Sequence, residues 1–467
     1  MSFASNPVPS RLPDDWSEEL AALDSGAAGP AASAVETTNA TPPDGAALNW
    51  LFVDLNSYFA SVEQEVRPEL RGKPVGVVPM MADTTCCIAA SYEAKAFGVK
   101  TGTIVADARR LCPEIIFVEG RHEIYTEYHH RVVKAVETCI PVTAVCSIDE
   151  MACRLIGRER PLLSAIDLGK RVKAAIRSQV GPMLRSSVGL ATNRYLAKVA
   201  SDMEKPDGLV ALPLDILPDA LHQLTLRDLP GIGARTEKRL NEKGIRTMDD
   251  LLALDREQTG ELWGSVWGER MFHWLRGEDF DRTETEHQKS ISHSHVLAPE
   301  MRTPEKAWAV AHKLLHKAAM RLRAAGLWAS NIGLAIGFAV PRAQNTPVSR
   351  FGVPARGWRS EIKLSECQDN GTLIGALRRL WESRPSGEQY DHPYFIGVQL
   401  SNLVPDHLHT LALFDGLEEE QSRTRLLVAM DQINDKYGMS TLAPAAMLTA
   451  YKAAPTRIAF NSIPDLF

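Results

Sequence analysis

The sequence predicts an α+β protein of about three domains, because 467 residues exceed what one ordinary core holds. Two patterns carry that expectation. Short apolar, strand-like runs alternate with helical patterns from about residue 48 to 212 and again from 290 to 408. Between them, residues 213 to 280 read as short helices broken by Gly and Pro. Hydrophobic content of 45% and charged content of 24% are those of an ordinary globular chain. The absence of any run of about 18 apolar residues argues against a membrane-spanning helix, and no membrane partner is expected.

Taken in order, residues 1 to 47 are rich in Ala, Pro, Ser, Thr and Asp, and are expected to form a disordered leader. The start, Met1-Ser2-Phe3-Ala4-Ser5-Asn6-Pro7, lacks the basic and apolar stretches of a secretory signal, so a cytoplasmic location is expected. From Leu48 a strand is expected over 49 to 54 and a helix over 57 to 65. Pro68 and the turn Arg71-Gly72-Lys73-Pro74 then lead into Val75-Gly76-Val77-Val78. Further strands are expected at Ile115-Ile116-Phe117-Val118 and Val142-Thr143-Ala144-Val145. Residues 281 to 290 are polar and suit a linker. A helix over 304 to 325 follows, with strands at 332 to 338 and 394 to 400. The seven cysteines (86, 87, 112, 139, 146, 153 and 367) include no C-x-x-C pair, which argues for reduced thiols.

The net charge of -6 is uneven along the chain. Residues 1 to 47 hold seven acids against the single base Arg11, which accounts for all of it. Residues 301 to 360 carry ten bases against one acid, Glu305. Such a segment suits contact with a phosphate backbone, or else forms a solvated helix face.

Two apolar runs end in acid: Trp50-Leu51-Phe52-Val53-Asp54, and Val145-Cys146-Ser147-Ile148-Asp149-Glu150. A lone acid after a strand is usually a helix cap. Adjacent residues on a strand face opposite sides, so Asp149 and Glu150 reach one site only where the strand ends or bends. Jointly the three carboxylates suit two divalent ions about 4 Å apart, the arrangement used for phosphoryl transfer.

Five segments in order carry a resemblance. They are Asp54-Leu55-Asn56-Ser57-Tyr58-Phe59-Ala60-Ser61-Val62-Glu63, Ser91 to Lys100, Ser147-Ile148-Asp149-Glu150, Leu196 to Gly208, and Leu229-Pro230-Gly231-Ile232-Gly233. From about residue 48 to 440 the chain resembles a Y-family translesion DNA polymerase of the DinB/UmuC superfamily, DinB-like in its Lys205-Pro206-Asp207-Gly208 ending. The resemblance implies an α+β right-hand fold. Palm would be 48 to 57 and 123 to 212, fingers 58 to 122, and a helical thumb 213 to 280. A linker at 281 to 289, an α+β little finger at 290 to 408 and a C-terminal tail at 409 to 467 would complete it.

Residue by residue, the resemblance implies that Asp54, Asp149 and Glu150 are catalytic and, with the carbonyl of Leu55, hold two Mg2+ ions, Mn2+ being an alternative. Phe59 would be the steric gate that excludes a ribose 2′-hydroxyl. Tyr58, Phe59, Tyr92, Lys95 and Lys205 would contact the deoxynucleoside triphosphate. Gly231, Gly233, Arg235 and Lys238 of a helix-hairpin-helix would meet primer-template DNA through its phosphates. Leu411, Leu413 and Phe414, in a Q-L-x-L-F-like peptide with Thr410 in place of Gln, would bind a sliding clamp. A monomer is expected. Asn56 and Lys95 depart from the DinB pattern, which has Asp and Arg there, and lean towards the UmuC branch. A catalytically silent scaffold that recruits repair proteins to the clamp is the alternative, against which stands the presence of all three acids.

Overall fold

A computed structural model describes residues 47–83, 85–279, 290–339, 355–410, 417–437 and 441–450. They fall into two compact units, one over 47–279 and one over 290–450.

The first unit is built on a five-stranded sheet. Its strands are β1 (Trp50–Leu55), β5 (Ala144–Val145), β6 (Glu150–Arg154), β7 (Ser186–Ala191) and β8 (Leu209–Leu212), in the order β5-β6-β1-β7-β8. β1 is central and every residue in it is buried, which is why its sequence is a continuous apolar run. Its alternate side chains serve two cores. Leu51, Val53 and Leu55 pack on one face with residues of α4 (His122–Glu137) and α5 (Leu162–Gln179). Trp50 and Phe52 pack on the other with α6 (Arg194–Met203) and the helical segment beyond it. Period-two alternation therefore sends Asp54 to the Phe52 face, under α6. Phe52 is 3% exposed, so Phe52→Ala would cost on the order of 3–5 kcal/mol and loosen that face.

A smaller sheet of order β3-β2-β4 comprises β2 (Val75–Val78), β3 (Ala89–Ala90) and β4 (Ile116–Glu119). It is accompanied by α1 (Tyr58–Val66), α2 (Tyr92–Ala96) and α3 (Val105–Leu111). Residues 213–279 form 3-10 turns and four short helices, α7 (Ala234–Glu242), α8 (Met248–Leu252), α9 (Arg256–Trp263) and α10 (Val266–Leu275). α8 and α9 begin at Thr247 and Asp255, each closing a capping box.

The strand expected over Val142–Val145 is only Ala144–Val145, an edge strand that ends at once in a hairpin turn. Cys146 N donates to Glu150 O at 2.9 Å across that turn. The expected run of apolar residues into Asp149 therefore bends at Ser147, and Glu150 opens β6 instead of closing a strand.

The second unit is a four-stranded antiparallel sheet of β9 (Ser290–Val296), β10 (Leu327–Ala339), β11 (Ala355–Cys367) and β12 (Pro393–Pro405), ordered β11-β10-β12-β9. The helices α11 (Pro304–Ala324) and α12 (Asn370–Glu382) share its core. A last helix, α13, spans Leu417–Tyr437. The expected basic surface over 301 to 360 fails at three of its ten bases. Lys313 and Lys317 of α11 are only 5% and 7% exposed, and the Arg323 side chain, 4% exposed, is held by Asp431 at 2.5 Å. α11 is covered by the sheet and by the 3-10 turn Ala445–Ala450, whose Ala450 carbonyl accepts from Lys313, so these three bases do not form an open surface. All seven cysteines are free thiols. No helix among the described residues is long and apolar enough to cross a membrane.

Candidate active site

The acid cluster is assembled by sheet register. In the antiparallel pair β1–β6, Asp54 stands directly opposite Glu150, and Leu55 N donates to Asp149 O at 2.8 Å. Asp149 sits in the hairpin turn, where its Oδ1 accepts from Ser147 Oγ at 2.6 Å. The bend resolves the strand-geometry objection, because Asp149 does not share a regular strand with Glu150.

α6 brings cations to these acids. Asn193 caps it by accepting from Leu196 N at 2.8 Å. Gly189 of β7 lets the helix lie close, since a Cβ there would come within 2.0 Å of Ala197 O. Lys198 Nζ then lies 2.5 Å from Asp54, 2.8 Å from Glu150 and 3.0 Å from Asp202. Lys205 Nζ lies 2.7 Å from Asp54 and 2.7 Å from Asp202. Burial pulls the Lys198 ammonium down, but Asp54, Asp202 and Glu150 outweigh it and hold the lysine raised. The balance at Lys205 is the same, with burial opposed by Asp54. Asp149 goes the other way: burial, with help from Asp54 and Glu150, pushes its carboxyl up to about 6.

A cavity of about 280 Å3 joins these groups to the expected nucleotide contacts Tyr58, Phe59 and Lys95, being lined by Asp54, Leu55, Tyr58, Phe59, Lys95, Asp149, Glu150, Lys198 and Lys205; Tyr92 is not part of its lining. A larger depression of about 720 Å3, between α5 and the 204–208 loop, holds none of the three clustered carboxylates. Phe59 is 6% exposed, and its ring stacks on that of Tyr125 with centroids 4.5 Å apart. The Tyr58 hydroxyl is turned inward and donates to Tyr125 O at 2.7 Å. On α2, Lys95 Nζ lies 4.4 Å from the centre of the Tyr92 ring. Burial, and then Lys205, lower the Lys95 ammonium; burial raises the Tyr92 phenol, against the pull of Lys205. Asn56, 2% exposed, turns into the protein, where Oδ1 accepts from Asp207 N at 2.8 Å and Nδ2 donates to Ser187 Oγ at 3.1 Å. The departure at Asn56 thus serves the loop behind Lys205.

Some expected residues stand apart from this cavity. Gly231, Gly233, Arg235 and Lys238 are all exposed around the start of α7, with Ile232 buried between the glycines. Gly231 has φ +90° and faces Trp267, while Gly233 has open space around it. Leu411, Leu413 and Phe414 lie outside the described residues.

Among the described residues, no three acidic, His or Cys side chains converge closely enough to hold an ion as they stand. The donor chemistry nonetheless fits a hard divalent cation. Three carboxylates share one cavity, and two lysine ammoniums already lie against Asp54, one of them also against Glu150. Lys198 was not among the expected site residues, though its i,i+4 spacing to Asp202 marks a charged helix face.

Residues 53–202 match the impB/mucB/samB family, residues 288–413 its C-terminal domain, and residues 227–279 the DNA polymerase-iota thumb domain. The chain is 32% identical to the DNA polymerase IV of Moorella thermoacetica over 85% of its own length and 96% of the relative's. For the DNA polymerase IV of Pelotomaculum thermopropionicum the identity is 31%, over 85% and 95%. Among solved structures, a Y-family DNA polymerase chimera of Dbh and Dpo4 superposes with a TM-score of 0.61 at 23% identity, covering 76% of this chain and 99% of that one, which shows a shared fold. The ordered motifs, the α+β architecture and these matches together establish that the chain belongs to the impB/mucB/samB family, the Y-family of translesion DNA polymerases.

Proposed function

We propose that the protein extends a primer along a template in DNA damage tolerance. The 3′-hydroxyl oxygen attacks the α-phosphorus of a deoxynucleoside triphosphate, a new P–O bond forms, and pyrophosphate leaves. The observation that carries this reading is the single cavity holding Asp54, Asp149, Glu150, Phe59 and the lysines Lys95, Lys198 and Lys205. Two divalent ions, Mg2+ or alternatively Mn2+, would be held by Asp54, Asp149, Glu150 and the Leu55 carbonyl. When bound they acidify the attacking hydroxyl and neutralise phosphate oxygens.

The chain's own groups supply the rest. Lys205 and Lys95 offer point charges to the triphosphate, and Tyr92 a phenol. Phe59 presents a flat ring to the sugar. Residues 48–57 and 123–212 serve as palm, 58–122 as fingers, 213–280 as thumb and 290–408 as little finger. The exposed Gly231, Gly233, Arg235 and Lys238 follow the DNA phosphates. The peptide at Leu411, Leu413 and Phe414 docks on a sliding clamp, and the protein works as a monomer. Primer extension with Mg2+ on intact and lesion-bearing templates tests the reading. Wild type is expected to extend both and Asp149→Ala neither. A folded wild-type protein that adds no nucleotide to either template would refute it.

A further inference from the structure

We infer that Tyr125, anchored by Glu63 and Arg121, is the positioning residue that fixes the Phe59 ring and so sets the discrimination between deoxy- and ribonucleotides. The inference rests on the reading of Phe59 as the sugar gate. Tyr125 does not line the cavity itself; it stands behind Phe59 on α4, fully buried, its ring stacked at 4.5 Å with 20° between planes. Its hydroxyl donates to Glu63 Oε1 at 2.7 Å. Glu63 lies four residues after Phe59 on α1, one helical turn along the same face.

Glu63 is a fully buried carboxylate, which is tolerated only when paired and hydrogen-bonded. Arg121, at the start of α4, supplies the pair with Nε at 3.0 Å and Nη2 at 2.5 Å. The Tyr58 hydroxyl closes the circuit on the Tyr125 carbonyl. Burial, and then Glu63, raise the Tyr125 phenol far above its ordinary range, so it remains a donor. α1 and α4 are thus locked together behind the gate. A ring that must reject one hydroxyl needs a fixed position, and a side chain with free space behind it retreats.

The test is kcat/KM for a deoxynucleotide and for its ribonucleotide, in primer extension, for wild type, Phe59→Ala, Tyr125→Leu and Tyr125→Phe. Tyr125→Leu is expected to raise the ribo-to-deoxy ratio roughly tenfold while deoxynucleotide use changes by less than about threefold. Tyr125→Phe keeps the stack and loses only the Glu63 hydrogen bond, so its ratio is expected to rise about threefold. It carries the test if the leucine variant does not fold. If Phe59→Ala admits no more ribonucleotide than wild type, the gate reading itself fails. If Phe59→Ala admits ribonucleotides and the Tyr125 variants keep wild-type selectivity, or lose both nucleotides equally, the gate stands and the role of Tyr125 is overturned.

Discussion

Asp54 and Glu150 face each other across β1 and β6, and the single ammonium of Lys198 closes on both, at 2.5 Å and 2.8 Å. The active-site charge is therefore arranged as carboxylates around lysines, with Asp149 the acid that no lysine contacts among the described ion pairs. Stability and activity should separate at that residue.

Asp149→Asn removes a buried negative charge that Asp54 and Glu150 repel, while the amide keeps the shape. Primer extension is expected to fall on the order of a thousandfold or more, because the proposed metal set would lose a ligand. The melting temperature without divalent ions is expected to stay the same or rise. Calorimetry beside a single-turnover assay checks both, and a fall in stability would contradict the repulsion.

Lys198→Met has the opposite profile. It leaves Glu150 without its lysine, and Asp54 and Asp202 with Lys205 alone, in a partly buried setting. The cost is expected to be about 2–3 kcal/mol, below the ~3–5 kcal/mol of breaking a fully buried pair. Added Mg2+ or Mn2+ should recover part of it, since an ion held by the proposed carboxylate set would supply the missing positive charge. Melting curves with and without the ion decide this, and an ion-independent loss would count against a metal site.

The sequence made the central strand and its acid legible, because β1 is buried on both faces and reads as an unbroken apolar run to Asp54. Asp149 and Glu150 were legible as types but not in place, because the turn at Ser147 is fixed by hydrogen bonds that a hydrophobic pattern does not encode. Lys198 and Tyr125 were not singled out. Each earns its position from contacts more than 60 residues distant along the chain, to Asp54 and to Glu63. The basic stretch misled for a similar reason: counting Lys313, Lys317 and Arg323 as surface ignores α11 being covered.

In the helix-hairpin-helix, two glycines should behave differently on replacement by alanine. Gly231→Ala meets both φ +90° and a Trp267 atom at 2.9 Å, so it is expected to cost about 1–3 kcal/mol. Gly233→Ala has room and ordinary backbone angles, and should leave stability within about 1 kcal/mol. Any loss of DNA affinity at Gly233→Ala then reports the close approach of backbone to phosphate. Arg235→Ala and Lys238→Ala should each reduce the salt dependence of DNA binding by about one unit of log-log slope. Melting curves check the stability of the two glycine variants, and fluorescence anisotropy over a salt series measures DNA binding in all four.

In the second unit, His293 of β9 gives stability a pH dependence. Burial, with Arg321 and Lys317 of α11 adding like charge, lowers its imidazole to about 4. The unfolded chain titrates near 6.5, so above that pH both states are neutral and this site costs nothing. As pH falls from about 6.5 towards 4, the unfolded chain takes up a proton that the folded one refuses, and stability declines. His293→Gln removes this contribution. Because the ring is only partly buried, the difference should be near 1 kcal/mol, or roughly 2–4 °C of relative melting temperature between about pH 7.5 and pH 5. Melting wild type and variant in parallel at those two values checks it. An equal acid-induced drop in both would mean that His293 titrates alike in the folded and unfolded states.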